Sequence, residues 1–157
     1  MRPHLEAVLC SALLGFFISP GVFAMNPSSP STNAGDALTG KLKRTEVQRG
    51  QLSVPGREIV QVRTEIPVGV ESGWHVHPGE EVGYIVAGTV EMHVQGKPTV
   101  TLHAGEGFLI PARVPHNARD LGPGVGEMLS TYVVEIGQPL ATLVSAPGNA
   151  KSSERAR

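Results

Sequence analysis

Cysteine is nearly absent from the chain, which has a single one, Cys10, among its 157 residues. Cys10 lies in the apolar segment 7–18, which follows a positively charged start and precedes the small residue Ala24. This arrangement is typical of an export signal cleaved after Ala24, and the segment is shorter than the roughly 20 residues that a membrane span needs. Since Cys10 would leave with the signal, we expect a periplasmic or secreted protein with neither a disulfide nor a thiolate metal ligand.

An excess of charge and a second long apolar run are also missing. The formal net charge is −1, and removal of residues 1–24 would not change it, because one Arg and one Glu would leave together. A nearly neutral chain has no electrostatic attraction for nucleic acid or for an anionic membrane. We therefore expect neither nucleic acid nor, after signal cleavage, a membrane as a partner.

Composition divides the rest of the chain into three parts. Residues 25–40 are dominated by Pro, Ser, Asn, Gly and Thr, and residues 146–157 are polar without an apolar period. Both segments have little to bury, which predicts a disordered leader and a disordered tail. The sequence thus predicts one folded domain over residues 41–145, long enough for a single core.

Helical periodicity is missing after the signal, and apolar residues instead recur at every second position. Val90, Met92 and Val94 share one face of such a segment, which is the pattern of a half-buried strand. With Gly and Pro between them, similar segments predict strands at residues 58–66, 73–77, 81–87, 89–95, 99–103, 107–110, 116–119 and 127–135. Eight or nine short strands at this spacing indicate an all-β antiparallel sandwich or barrel.

Histidine and glutamate side chains lie at spacings that suit a metal site. His75 and His77 are two apart on a predicted strand and so point to the same side. Glu81 follows the turn at residues 78–79, and His116 opens a later strand. Taken singly, each has a plainer explanation: a surface or core histidine, or a solvated carboxylate with Glu80 beside it as an alternative ligand.

The spacing of these residues resembles two sequence motifs of the cupin superfamily. The first motif, G-x5-H-x-H-x3-E-x6-G, is matched at every marked position from Gly69 to Gly88. The second, G-x5-P-x4-H, is matched from Gly105 to His116. Two residues depart from the second motif: Arg113 stands where Gly is usual, and Asp120 stands where Asn is usual.

The resemblance implies a single-domain cupin with a double-stranded β-helix, a jelly-roll-like barrel. It also implies a metal near the mouth of the barrel, with His75, His77, Glu81 and His116 as ligands. Three imidazoles and a carboxylate suit one divalent transition metal, with Fe favoured among Fe, Mn, Ni, Cu, Zn and Co, and do not suit Ca. Because cupins commonly cover strand edges by pairing subunits, we expect a homodimer.

Further residues are candidates for a substrate pocket around this site. Tyr132, on the last predicted strand, is the one ionisable side chain among the candidates for the pocket wall, and we interpret Tyr132 and Glu81 as candidate catalytic residues. Arg63 would anchor a carboxylate if its strand face points inward, whereas a solvated stripe is the plainer reading. The apolar candidates, which in a small barrel often just fill the core, are Ile85, Met92, Phe108 and Ile110.

Three functions are compatible with these expectations. The favoured one is an oxidoreductase of the small cupin dioxygenase type that acts on a small, largely apolar or chelating molecule. The alternatives are a metal-dependent lyase, isomerase or decarboxylase in which Tyr132 or Glu81 moves protons, and a module that binds a metal or metabolite without catalysis. This choice rests on the resemblance, since one fold hosts many chemistries.

Overall fold

Two five-stranded sheets form the protein in a computed structural model that describes residues 35–148. The first sheet has the strand order β1-β2-β9-β4-β7 and the second has the order β10-β3-β8-β5-β6, and all strand pairs are antiparallel. The strands are β1 (Lys43–Gln51), β2 (Arg57–Ile66), β3 (His75–Val76), β4 (Glu80–Ala87), β5 (Thr89–Val94), β6 (Val100–His103), β7 (Gly107–Ile110), β8 (His116–Asp120), β9 (Gly126–Glu135) and β10 (Thr142–Leu143).

The predicted all-β fold is confirmed, and the predicted strands correspond to β2 to β9. Strand β1 is not predicted because its sequence, KRTEVQRGQ, is charged on both faces and lies at the edge of its sheet. Strand β10 has two exposed residues and therefore carries no pattern. None of the described elements is a helix with the length and hydropathy of a membrane span.

Side chains alternate strictly between core and surface along the longest strands. Every second residue of β9 is buried, and β2 follows the same period. This alternation puts one face of each sheet into a shared interior, which is the arrangement that period-two patterns produce. The larger core cluster contains Leu38, Leu42, Ile66, Ile85, Val90, Met92, Val94, Ile110, Ala118, Met128 and Ala141.

Residues 35–40 belong to this fold, in contrast to the predicted domain boundary at residue 41. Leu38 is 1% exposed and sits in the core, and the Ala37 amide donates a hydrogen bond to the Ala141 carbonyl at 3.3 Å. A single leucine in a polar segment gives no periodicity, so composition alone could not reveal the contact. The predicted signal, residues 25–34 of the predicted leader and residues 149–157 of the predicted tail lie outside the described residues.

Candidate metal centre

Strand register brings the four predicted ligands together between the two sheets. In the second sheet, His75 of β3 pairs directly with His116 of β8. In the first sheet, Glu81 of β4 pairs with Tyr132 of β9. His77 follows β3 immediately and faces the same interior. The alternative ligand Glu80 is exposed, as the alternation along β4 requires.

Three of the four side chains converge on a common point, and Glu81 lies against two of them. The His75 and His116 ring centroids are 4.1 Å apart, and each is 4.9 Å from the centroid of His77. One nitrogen from each of these rings lies within 4.8 Å of the others. Glu81 Oε2 is 3.1 Å from His77 Nε2 and 3.3 Å from His116 Nε2. This buried group could hold a metal ion.

Backbone carbonyls fix the tautomer of each imidazole. Nδ1 of every one of the three rings lies within hydrogen-bond distance of a carbonyl oxygen, which can only accept, so Nδ1 carries the proton and Nε2 keeps its lone pair. Such outer contacts are the usual means of orienting metal-binding histidines. The acceptors are Gly73 for His75 at 2.7 Å, Leu140 for His77 at 2.6 Å and Val114 for His116 at 3.0 Å.

The Nε2 atoms of His77 and His116 are buried and make no hydrogen bond with any described residue. Glu81 Oε2 is close to both, but with the ring protons on Nδ1 these contacts bring lone pairs together. Buried polar atoms normally have partners, and an arrangement of facing lone pairs is repulsive until a cation lies among them. The donor set therefore fits a divalent transition metal that takes nitrogen and oxygen ligands.

The protonation states also suit metal binding. Burial, together with the neighbouring imidazoles of His116 and His77, lowers the pKa of His75 to about 3, so His75 is neutral at physiological pH. The site thus offers a neutral imidazole at His75, the form of histidine that ligates metals.

Tyr132 supports Glu81 from the first sheet. Its hydroxyl donates a hydrogen bond to Glu81 Oε1 at 2.9 Å, and its ring centroid is 4.7 Å from that of His77. Burial raises the pKa of Tyr132 above its ordinary value, and the nearby Arg44 guanidinium opposes this only in part. The two predicted catalytic residues, Tyr132 and Glu81, are therefore neighbours, and the Tyr132 phenol is protonated.

Asn117 is a supporting residue that the sequence analysis missed. Its Oδ1 accepts hydrogen bonds from the Gly73 amide at 2.9 Å and from Ser72 Oγ at 3.1 Å, and its Nδ2 donates to Glu71 at 3.1 Å. It thereby fastens the segment before His75 to β8. Its only signal in the sequence is its position next to a predicted ligand.

Arg63 is not a pocket residue, contrary to the prediction. Its guanidinium forms a two-pronged ion pair with Glu127 on β9, with Nε–Oε1 and Nη2–Oε2 distances of 2.6 and 2.7 Å. The side chain is 51% exposed. The polar face of β2 therefore points to solvent, because its apolar residues fill the other face.

The apolar pocket candidates lie in or against the core. Ile85, Met92 and Ile110 are at most 2% exposed, and Phe108 is half-buried. Phe108 occupies the space that glycine leaves at position 83, since a Cβ there would lie 2.0 Å from the phenyl ring. These four residues therefore pack tightly, as the core interpretation expects.

A cleft of about 410 Å³ nevertheless reaches this part of the core between β6 and β7, the edge strands of the two sheets. Its lining includes Val94, which pairs with His116, and Ile110, which pairs with Glu81. Directly paired residues project to the same side of a sheet. Two residues that line the cleft are therefore direct neighbours, within their sheets, of the candidate ligands His116 and Glu81. The walls of the cleft are largely apolar, from Met92, Val94, Pro98, Val100, Leu102, Phe108, Leu109 and Ile110.

The remaining histidines lie away from the cluster. His93 is 31% exposed at its side chain and pairs with Glu91, with 2.9 Å between Nε2 and Oε1. His103 is exposed at the end of β6. Both are suitable controls for the candidate ligands.

Residues 62–132 match the family model described as the cupin domain. No curated protein sequence matches the chain. Among solved structures, an uncharacterised conserved protein with a double-stranded β-helix domain from Klebsiella pneumoniae is similar with a TM-score of 0.53 and 22% identity, over 68% of this chain and 87% of the other.

Two enzymes also share the fold. Oxalate decarboxylase from Bacillus subtilis matches with a TM-score of 0.53 and 17% identity, over 66% of this chain and 28% of the enzyme. The DMSP lyase DddQ from Ruegeria pomeroyi matches with a TM-score of 0.51 and 24% identity, over 55% of this chain and 43% of the lyase. The chain thus spans less than half the length of either enzyme, and at these identities the likeness concerns the fold alone.

Proposed function

We propose that this protein is an exported mononuclear metal cupin that oxidises a small molecule, in the manner of small cupin dioxygenases. The observation that carries the proposal is the convergence of Glu81 Oε2 with histidine Nε2 atoms that keep their lone pairs. Among the described residues, the Nε2 atoms of His77 and His116 have no hydrogen-bond partner. A divalent transition metal at this point would bind a chelating substrate and activate dioxygen or the substrate itself.

The cleft between β6 and β7 supports a ligand with an apolar body. Such pockets hold a ligand through apolar walls and orient it with a few polar groups. The polar groups that adjoin these walls within the sheets are His116, which pairs with Val94, and Glu81, which pairs with Ile110. We expect the chelating end of the ligand to point there and its apolar body to contact Met92.

The state of the titratable groups favours oxidation over proton transfer. The three histidines and Glu81 serve as ligands, and the Tyr132 hydroxyl is engaged by Glu81 and Arg44 at 2.9 and 3.3 Å. A general base must reach the proton that it removes. Among these five groups none is free to do so, whereas oxidation of an ionised chelate needs no protein base.

A metal-dependent lyase, isomerase or decarboxylase is the second candidate. The lyase and the decarboxylase that share this fold favour it, and so does the position of Tyr132, a protonated phenol next to Glu81. The hydrogen bonds that hold the phenol count against it.

Oxygen uptake by the metal-loaded protein distinguishes these functions. Metal-free protein is loaded separately with Fe, Mn, Ni, Cu, Zn or Co and screened with catechols, diketones and flavonoids in an oxygen electrode. We expect oxygen consumption with Fe. Turnover without oxygen would instead support the second candidate, and spectral binding without turnover would support a binding module. Failure of every metal to bind would refute the metal site.

Export is a separate part of the proposal, because it rests on residues 1–24. We expect the mature chain to begin at Met25, and the intact mass of protein recovered from its native compartment measures this. A mass that includes residues 1–24 would contradict it.

A further inference from the structure

A row of buried polar side chains stands behind Glu81, on the side away from the histidines. Tyr132 donates to Glu81 Oε1 at 2.9 Å, and Arg44 Nη2 donates to the Tyr132 oxygen at 3.3 Å. The same guanidinium donates from Nη1 to Thr64 Oγ1 at 3.2 Å and from Nε to Asp36 Oδ2 at 2.6 Å. The Asp36 carboxylate, near the start of the described residues, is thereby connected through Arg44 and Tyr132 to the candidate metal ligand Glu81.

The ion pair at the end of this row is almost inaccessible to solvent. The side chains of Arg44 and Asp36 are 2% and 0% exposed. Removing two charges from water has a cost that their attraction often fails to exceed, so a buried pair is weak as a stability device. The effect of the Arg44–Asp36 pair on the geometry of its neighbours is therefore more informative than its contribution to stability.

The hydrogen-bonding capacity of arginine determines where the phenol proton points. A guanidinium has only donors, so the single proton of Tyr132 cannot be given to Arg44 and is given to Glu81 Oε1. That oxygen is then occupied. Oε2, which lies 3.1 and 3.3 Å from the Nε2 atoms of His77 and His116, remains free.

We propose that Arg44 is a positioning residue for the metal centre: it directs the Tyr132 proton to Glu81 Oε1 and so leaves Oε2 as the one carboxylate oxygen available to a metal. This inference rests on the proposed metal site and goes beyond it, because it assigns single-oxygen coordination by Glu81 to residues outside the cupin motifs. Arg44 acts only through Tyr132.

The segment that holds Arg44 also adjoins the support of a second ligand. Asp36 Oδ1 accepts a hydrogen bond from the Leu38 amide at 3.0 Å, and Asp36 forms a bridge to Ala141. The neighbouring Leu140 carbonyl accepts the proton of His77 Nδ1 at 2.6 Å. Packing of residues 36–38 against residues 140–141 therefore positions both Arg44 and His77.

Cobalt(II) is a suitable probe, since its visible absorption reports coordination number without any turnover. Tyr132→Phe, Arg44→Met and Arg44→Lys are loaded with Co(II) beside the unaltered protein. Each should change the visible spectrum in the direction of higher coordination, as Oε1 becomes free, and should weaken Co(II) binding by about 10-fold, at the low end for outer contacts of metal ligands. Lys43→Met is the matched control, because Lys43 is a 71% exposed cation on the same strand.

A double variant tests whether Arg44 acts through Tyr132. If it does, Arg44→Met combined with Tyr132→Phe should bind Co(II) as Tyr132→Phe alone does, because coupled effects do not add. Additive losses would overturn the inference, as would Arg44 variants with a lower melting temperature but an unaltered spectrum and affinity.

Arg44→Lys decides the question if Arg44→Met does not fold. It keeps the charge beside Asp36, but a single ammonium does not reproduce the fork that also reaches Tyr132. If the unaltered protein binds Co(II) and every Arg44 variant gives the same spectrum, the positioning role of Arg44 is refuted and the metal site is not. An unaltered protein that binds no Co(II) refutes the metal site as well.

Discussion

Each of the three clustered histidines is oriented by a hydrogen bond from its Nδ1 to a backbone carbonyl. This hydrogen bond leaves the Nε2 atom of each ring facing the interior. We expect alanine at position 75, 77 or 116 to remove most bound metal and the metal-dependent gain in melting temperature, since an ion that binds only the folded state stabilises it. Metal analysis and thermal unfolding measure both effects.

Two further variants make this test specific. Glu81→Gln keeps an oxygen ligand but removes its charge, so metal should be held more weakly and not lost. His93→Ala should leave the metal content unchanged, because His93 bonds to Glu91 at the surface. Full occupancy in His116→Ala together with an empty site in His93→Ala would show that the ligand assignment is wrong.

Acid should destabilise the metal-free protein through His75. Burial lowers the pKa of His75 to about 3, whereas an unfolded histidine titrates near 6.5. Between these values only the unfolded chain takes up the proton, so the free energy of unfolding should decrease as the pH falls from about 6.5 towards 3.

Urea unfolding of chelator-treated protein at a series of pH values measures this effect. His75→Asn should lose less stability than the unaltered protein between about pH 7 and pH 5. A loss equal to that of the unaltered protein would exclude His75 as its source.

Asp120 is a buried carboxyl group whose Oδ1 and Oδ2 make no hydrogen bond with any described residue. It stands where the cupin motif usually has Asn, and an unpaired buried acid costs more than a neutral amide. We expect Asp120→Asn to stabilise the protein by about 1 kcal/mol in urea unfolding. Asp36→Asn is the opposite case, because it removes the negative charge that pairs with the buried Arg44 guanidinium, and should destabilise. A lower stability of Asp120→Asn would mean that the carboxyl group has a favourable role.

At the scale of elements, the turn between β7 and β8 shows how a departure from a motif is tolerated. Arg113 adopts a φ of 60°, the left-handed conformation that glycine takes without cost. The turn keeps its function, since the Arg113 amide donates to the His77 carbonyl at 2.9 Å and the Val114 carbonyl orients His116. The motif's shape is therefore retained at an energetic cost.

Arg113→Gly should remove that cost. The left-handed conformation costs a non-glycine residue roughly 1–2 kcal/mol, and glycine loses part of this gain through its more flexible unfolded chain. We expect a rise in stability of up to about 1 kcal/mol, with metal content unchanged. Arg113→Val should destabilise, as a β-branched residue suits this φ worst. Equal urea midpoints for the two variants would contradict the argument.

Elements were predictable from the sequence where one face is buried. The alternation in β2 and β9 is strong because their inner residues reach the core and their outer residues reach solvent. Strand β1 has little such contrast, and Leu38 enters the core from a segment with no period. Their positions are decided by tertiary packing, which a local pattern does not record.

At the scale of the whole molecule, the candidate site also has one part that could be predicted from the sequence and one part that could not. The residues that converge, from His75 to His116, lie in two short motifs whose spacing can be seen in the sequence. Arg44, Asp36 and the Leu140 carbonyl support them from distant positions, and a carbonyl has no sequence signature at all. Whether the convergent residues bind a metal stays a prediction until metal content is measured.

The homodimer also stays a prediction, and the outer face of β4 and β7 is the surface we expect a second copy to cover. Val82, Tyr84 and Leu109 are 51%, 51% and 56% exposed there, Val82 pairs with Leu109, and β7 is an edge strand. Contiguous exposed apolar side chains beside an open edge favour self-association. Tyr84→Lys with Leu109→Lys should therefore give a monomeric mass in light scattering at tens of micromolar. Val54→Lys, at a position 59% exposed outside the strands, should leave the dimer intact, and a monomeric mass for the unaltered protein would refute the prediction.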